Sequence, residues 1–243
     1  MQKINQNILD ILKQCTVNGL HVTINSTLDR KTYVELNKVL EILGGTWNRK
    51  LKVHVFQDNP ALILDQAINE GSYFDSKKEY QQFFTPIKVA KQLIEMAEIS
   101  DNHLVLEPSA GSGNILNLLT GKEIHFCEID KTLSAKLEKK HKLVCDDFLN
   151  YKPDFKYDRI VANPPFTKGQ EIDHVMHMID CCKNGGRIVT VMSNGITFKT
   201  DKRTVELKNR LNKCASSHMI KNEDCAFEEA GTKVSTIILV VDV

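Results

Sequence analysis

Residues 104–113 read Leu-Val-Leu-Glu-Pro-Ser-Ala-Gly-Ser-Gly: a short apolar run, a carboxylate, then a turn of small residues. Three apolar residues and a carboxylate that break off at a Pro-Ser-Ala-Gly turn predict a buried strand and a loop leaving its carboxyl end. The same rhythm repeats downstream. Strands are expected at Ile124–Glu128, Leu143–Cys145, Arg159–Ala162, Gly186–Met192 and Val234–Val243. Helices are expected directly after the glycines, in the Lys-rich stretch from Leu133, and over Ile172–Cys182. Apolar strands alternating with helices predict an α/β fold, a doubly wound and mostly parallel sheet of the Rossmann-like kind. In such sheets ligands sit beyond the carboxyl ends of the strands, so the loops carry the chemistry.

Upstream the texture differs. Ile4–Lys13 is amphipathic, His21–Ile24 reads as a short strand, and Thr32–Leu43 has helical spacing that stops at Gly44-Gly45. Lys52–Phe56 alternates as a strand, and Pro60 opens a helix running to about Ile68, closed by Gly71. We therefore expect a small N-terminal α+β module over residues 1–75 and a larger α/β domain over residues 76–243.

The bulk properties mainly exclude. At 243 residues the chain can bury a sizeable core, and a net charge of +1 carries no overall basicity for binding nucleic acid. Any such partner needs local patches, and two basic clusters offer them: Arg49, Lys50 and Lys52, and Lys199, Lys202 and Arg203. No apolar window is long enough to cross a bilayer, and the opening Met1–Asp10 lacks the apolar core of a signal peptide. Seven cysteines with no Cys-x-x-Cys pair suit reduced thiols. A cytoplasmic location, no membrane partner and no metal are expected.

The loop Glu107–Gly113 lets a backbone approach a ligand closely, but it lacks the third glycine of a dinucleotide fingerprint. Glu107 would repel a pyrophosphate. It suits a cationic ligand such as the amino group of a methionine moiety, which favours S-adenosylmethionine. Glu128, ending the next strand, can accept from both hydroxyls of a ribose. Asp147, directly before Phe148, can accept from an adenine amino group while the ring packs on the purine; the alternative is a helix cap. Asn163-Pro164-Pro165-Phe166 decides the chemistry. Two prolines hold Asn163 extended and aim its side chain. An adenine amino nitrogen is a weak nucleophile because its lone pair is delocalised. The Asn163 side-chain carbonyl and the Pro164 backbone carbonyl can take its two N–H bonds, and Phe166 can stack on the base.

Together these residues resemble the N6-adenine DNA methyltransferases, in the arrangement where the cofactor loop precedes the catalytic loop, from about Gln82 to Val243. Phe83-Phe84-Thr85-Pro86 is similar to the family's upstream cofactor motif, which implies that Thr85 binds the methionine carboxylate. The loop's Glu107, Pro108, Ala110, Gly111 and Gly113 would line the methionine end, with Glu128 on the ribose. Ile129 and Asp147-Phe148 would hold the cofactor's adenine. Asn163, Pro164, Pro165 and Phe166 match the catalytic tetrapeptide, with Asn163 also bordering the cofactor. Phe227, ahead of Gly231-Thr232, resembles the late motif that packs on the target base. The resemblance implies methyl transfer from S-adenosylmethionine to the N6 amino group of a flipped adenine in DNA. Such enzymes often carry a large recognition domain, so reading the sequence falls to the N-terminal module, the Asn194–Arg203 loop or a separate specificity subunit. An RNA adenine or a protein glutamine N5 methyltransferase stays open, as does a non-catalytic nucleic-acid-binding subunit.

Overall fold

The protein is described by a computed structural model over residues 2–56, 59–73, 84–222, 227 and 234–243. It divides into two compact units, Met1–Glu79 and Tyr80–Val243.

In the first unit the order is β1 (Gln2–Lys3), α1 (Gln6–Gln14), β2 (Thr16–Asn18), β3 (His21–Thr23), α2 (Arg30–Ile42), β4 (Thr46–Asn48), β5 (Val53–Val55), α3 (Ala61–Glu70) and β6 (Ser72–Tyr73). Helix starts follow local chemistry: the Asn5 side chain caps α1, and Asp29 caps α2 through the N–H groups of Lys31 and Thr32, such a cap being worth about 1 kcal/mol. Gly71 ends α3 in the left-handed conformation, as a helix-closing glycine does. The strands β2-β3-β5-β4 form an antiparallel sheet, and β1 pairs with β6. Ile8, Leu12, Val22, Leu36 and Leu40 make the core of the unit. β2 and β4 were not expected; three residues are too few to show an alternation, and their partners β3 and β5 hold them in register.

The second unit runs α4 (Ile87–Ala97), β7 (Leu104–Glu107), β8 (Glu123–Cys127), α5 (Lys131–Leu137), β9 (Lys142–Cys145), β10 (Tyr157–Ala162), α6 (Gln170–Cys181), β11 (Cys182–Ser193), α7 (Gly195–Phe198), α8 (Lys202–Leu211), β12 (Ser216–Lys221) and β13 (Thr236–Asp242). Its seven strands lie in the order β12-β13-β11-β10-β7-β8-β9. Only β13 opposes its neighbours; β7 to β11 are parallel throughout. Successive residues face opposite sides, and both sides are apolar. Leu106, Ile160 and Ile188 join the core under α6 and α8, while Val105, Val161 and Val189 join the core under α4. A strand buried on both faces is apolar at most of its positions, which is why these strands were visible as near-continuous runs. Each fully buried Leu, Val or Ile contributes about 1.5–3 kcal/mol of transfer free energy.

Two expectations need correction. The segment after Gly113 is turns and a single 3₁₀ turn over Leu116–Leu118, not a helix. Gly111 and Gly113 both take positive φ, and the chain must return to β8 within a few residues. The edge strand β12 was missed because all six of its residues are exposed, so they carry no apolar signature; its backbone ladder to β13 holds it.

Candidate active site

Chain order and sheet order together locate the site. From β7 the chain moves outward through β8 to β9, whereas β10 sits on the other side of β7 and leads to β11. The direction of winding switches between β7 and β10, the position at which open α/β sheets form their ligand crevice. Glu107 ends β7 and Asn163 follows β10 directly, so the carboxylate and the Asn-Pro-Pro-Phe segment border the same switch point. Outward on one side come Glu128 after β8 and Asp147 after β9.

Glu107 is 1% exposed, and its Oε2 has no hydrogen-bond partner. Burial raises its carboxyl well above the usual range; the nearby Glu128 carboxylate raises it further, while the Leu116 N–H pulls it down. A buried carboxyl so placed is costly unless a cation or donor meets it. Around it the loop is shaped by close approach. Gly111 has φ +54, and a Cβ there would lie 3.9 Å from the Phe84 ring. Gly113 has φ +82, and a Cβ there would come within 2.5 Å of the Leu137 side chain. Ala110 donates its N–H to the carbonyl of Cys127 at 3.1 Å, tying the loop to the end of β8. Pro108 is buried beneath it.

Glu128 is buried, and both of its oxygens are engaged: Oε2 accepts from Gly111 N at 2.6 Å and Oε1 from Asp130 N at 2.8 Å. Burial raises its carboxyl above the ordinary value, with the Asp130 and Gly111 N–H bonds opposing. Glu128 thus braces the glycine loop, and each oxygen keeps a second lone pair for a hydroxyl. Ile129, beside it, is 44% exposed and offers a flat apolar surface.

Asp147 shows the capping geometry. Its carboxylate accepts from Leu149 N at 3.0 Å and Asn150 Nδ2 at 2.7 Å, starting the 3₁₀ turn Phe148–Asn150. The expectation that the Phe148 ring covers a purine is corrected. Phe148 is 2% exposed, its ring 4.7 Å from that of His177 and 5.6 Å from that of His174, inside the core. What Phe148 can offer a ligand is backbone.

Asn163 donates through Nδ2 to the hydroxyl of Thr85 at 3.0 Å. That bond orients the amide and leaves the carbonyl oxygen as its acceptor. Pro164 is buried and Pro165 half-buried, and Phe166 packs its partly exposed ring on the core under α4. The Thr85–Asn163 contact was not foreseen, because it joins residues far apart in the chain. Asn114 was also missed: its Nδ2 donates to the Thr85 carbonyl at 2.8 Å, linking the glycine loop to the same threonine. Glu171 is a third omission. It is 3% exposed, its Oε1 accepts from Ser193 Oγ at 2.6 Å, and its Oε2 has no partner. No short-range motif announces any of the three.

Phe227 is 1% exposed and belongs to the core against which Phe166 packs. Phe83, Gly231 and Thr232 lie outside the described residues. Arg203, grouped above with the phosphate-binding candidates, donates to the carbonyls of Lys168 and Gly169 and to the Asp173 carboxylate; Lys199 and Lys202 are exposed. Lys142 pairs with Glu123 at 2.8 Å. Among the described residues no three His, Cys, Asp or Glu side chains are placed to hold a metal, and no helix is long and apolar enough to cross a membrane.

Known proteins resemble this chain in sequence or in fold. The type II methyltransferase M.CvrRI of Paramecium bursaria Chlorella virus XZ-6E is 30% identical over 120 residues, 45% of this chain and 31% of that protein. The type II methyltransferase M.HincII of Haemophilus influenzae is 29% identical over 106 residues, 42% of this chain and 20% of that protein. The chain thus spans less than a third of the length of either relative. The fold is similar to the methyltransferase subunit of a type I restriction-modification system from Streptococcus thermophilus, with TM-score 0.55 and 16% identity over 65% of this chain and 44% of that one. It is also similar to the modification subunit of a type I restriction enzyme from Vibrio vulnificus YJ016, with TM-score 0.53 and 17% identity over 90% of this chain and 59% of that one. The family model for N-6 DNA methylases matches residues 71–125 and 122–242, more than half of the chain. Glu107 and Asn163 thus border one switch point of the sheet, and the chain belongs to the N-6 DNA methylase family.

Proposed function

We propose that this chain transfers a methyl group from S-adenosylmethionine to the N6 amino group of adenine in DNA. The observation that carries the reading is the pairing of a buried carboxyl with an unmet oxygen, Glu107, and an oriented amide, Asn163, across one crevice. The residues present fit the cofactor. Glu107 answers a positively charged methionine amino group, Gly111 and Gly113 take the positive φ that favours glycine, with no room for a side chain at Gly113, and Glu128 keeps lone pairs for a ribose. Ile129 and the Phe148 N–H, with Asp147, would hold the adenine moiety, and Thr85 the carboxylate end. When bound, S-adenosylmethionine supplies a methyl group made electrophilic by its sulfonium.

The chain's own part is orientation. The target adenine must leave the DNA stack to reach the crevice, and Phe166 receives its face. The Asn163 and Pro164 carbonyls accept the two N–H bonds of its amino group, drawing the nitrogen toward tetrahedral geometry and freeing its lone pair. Once methylated, that nitrogen is strongly acidic and gives its extra proton to water, so no tuned acid or base is needed. Lys199 and Lys202, beside the 68% exposed ring of Phe198, are suited to the phosphates and an unstacked base of the flanking strand. Arg49, Lys50 and Lys52 line the exposed tip of the β4–β5 hairpin, a second phosphate contact through which the N-terminal unit assists. A separate specificity subunit would supply further sequence reading.

The test is incubation of the full chain with labelled S-adenosylmethionine and plasmid DNA, total RNA or a glutamine-containing peptide, followed by digestion and mass spectrometry. N6-methyladenine in the DNA digest is expected. Label confined to RNA or to glutamine would refute the DNA assignment.

A further inference from the structure

Between Phe166 and the start of α6 the chain takes two left-handed residues in succession, Lys168 at φ 52, ψ 21 and Gly169 at φ 71, ψ 29. Glycine adopts this conformation freely, but a lysine does so at a cost, because its Cβ crowds the neighbouring carbonyl. The geometry turns both carbonyls toward one side chain. Arg203 donates through Nη1 to the Lys168 carbonyl at 2.8 Å and through Nη2 to the Gly169 carbonyl at 2.6 Å and to Asp173 Oδ2 at 2.5 Å. Arg203 is itself held in place. It sits in the first turn of α8, whose Asp201 cap binds Thr204, and Thr204, Leu207 and Leu211 bury the helix against α6. From the opposite side Ser193, at the end of β11, donates to Glu171 in the first turn of α6. The Gly169 N–H then returns to the Phe166 carbonyl at 3.1 Å.

From these contacts we propose that Arg203 is a positioning residue for the base-binding wall: it holds Lys168 and Gly169 left-handed and so fixes where the Phe166 ring stands. The proposal rests on the reading of Asn163–Phe166 as the catalytic loop. A planar guanidinium with several fixed donors can serve two carbonyls and a carboxylate at once, which a lysine ammonium on a flexible stem does poorly. Arg203 is then spent on the loop and is no phosphate contact, unlike Lys199 and Lys202.

The experiment measures kcat, DNA KM, cofactor Kd and melting temperature of the full chain for Arg203→Ala, Arg203→Lys, Lys168→Gly and the double variant Arg203→Ala/Lys168→Gly, with Asn163→Ala as control. We expect Arg203→Ala to lower kcat about tenfold with cofactor Kd within twofold, and Arg203→Lys to fall between it and the parent. Glycine at 168 needs no clamp, so the double variant should regain much of the lost kcat. A kcat for Arg203→Ala within twofold of the parent would overturn the proposal. So would a rise in KM alone that vanishes with added salt, the mark of a phosphate contact, or a double variant no faster than Arg203→Ala. If Arg203→Ala melts far below the parent, the Arg203→Lys and Lys168→Gly pair still decides between these outcomes. A control Asn163→Ala that turns over normally would defeat the catalytic reading of the loop itself, whatever Arg203 does.

Discussion

The loops after β7 and β10 stand side by side yet are built on opposite principles. The first is made of small residues and glycines with positive φ, and keeps a buried carboxyl with an oxygen that nothing in the protein meets. The second is stiffened by two prolines, its asparagine is bonded to Thr85, and the chain leaving it is gripped by Arg203. The difference suits the tasks proposed for them. A loop that must bind a charged ligand tightly can leave a buried carboxyl without a partner until the ligand comes, because the ligand's arrival then relieves a cost already present. A loop that must steer a reaction gains by having its acceptors oriented beforehand, since no reorganisation is left for the moment of transfer.

The contrast breaks most directly at Asn163. Asn163→Ala removes one of two acceptors whose value lies in the transition state, so kcat should fall about a hundredfold or more while cofactor Kd stays nearly constant. Single-turnover methylation and calorimetry measure the two separately. A variant that lost cofactor binding and kept its rate would mean that the second loop is also a ligand loop.

Glu107→Gln probes the other side. The variant should weaken cofactor binding by about 1.5–3 kcal/mol, the range for a hydrogen bond to a charged group. The free protein should respond in the opposite sense. Because Glu107 titrates well above its usual value of 4.5, the folded state holds a proton that the unfolded chain releases. Its contribution to stability is complete below that usual value and is lost as pH rises through the raised one. The parent should therefore lose stability on going from mild acid to neutrality relative to Glu107→Gln, and its cofactor binding should release a proton. Melting curves across that range test the first statement and calorimetry in two buffers the second; parallel melting profiles would show that the carboxyl is not strained.

A smaller effect is expected at Gly113. Alanine there must relieve a 2.5 Å approach to Leu137 and hold a positive φ, costing about 1–3 kcal/mol of stability together with cofactor affinity. If Gly113→Ala melts like the parent, the loop is looser than its packing implies.

The smallest effect separates two roles for Thr85. Thr85→Val keeps the shape and removes the acceptor of the Asn163 amide, so a loss of about 0.5–1.5 kcal/mol should appear mainly in kcat. Were it to appear mainly in cofactor Kd, the threonine would be serving the methionine carboxylate instead. The same measurement thus ranks the two loops' claims on one residue.

What was legible in the sequence is what short-range chemistry dictates. Strands buried on both faces are mostly apolar, so β7, β8, β10, β11 and β13 stand out as runs whose ends could be located from the sequence. A glycine at positive φ announces itself because few other residues satisfy that backbone, and an asparagine ahead of two prolines because its amide is held on a stiff, extended segment. Tertiary structure alone decided the rest, because it depends on which distant segments meet. Strand order put β10 next to β7 and so made one crevice of two loops. The same assembly brought Thr85 to Asn163 and Arg203 to Gly169, and drew the Phe148 ring into the core where a ligand-facing ring had been expected. Hydrogen bonds of this kind join partners dozens of residues apart and leave no period or spacing to read. A side chain's type says what it can bind, but only the packed fold says which partner has already bound it.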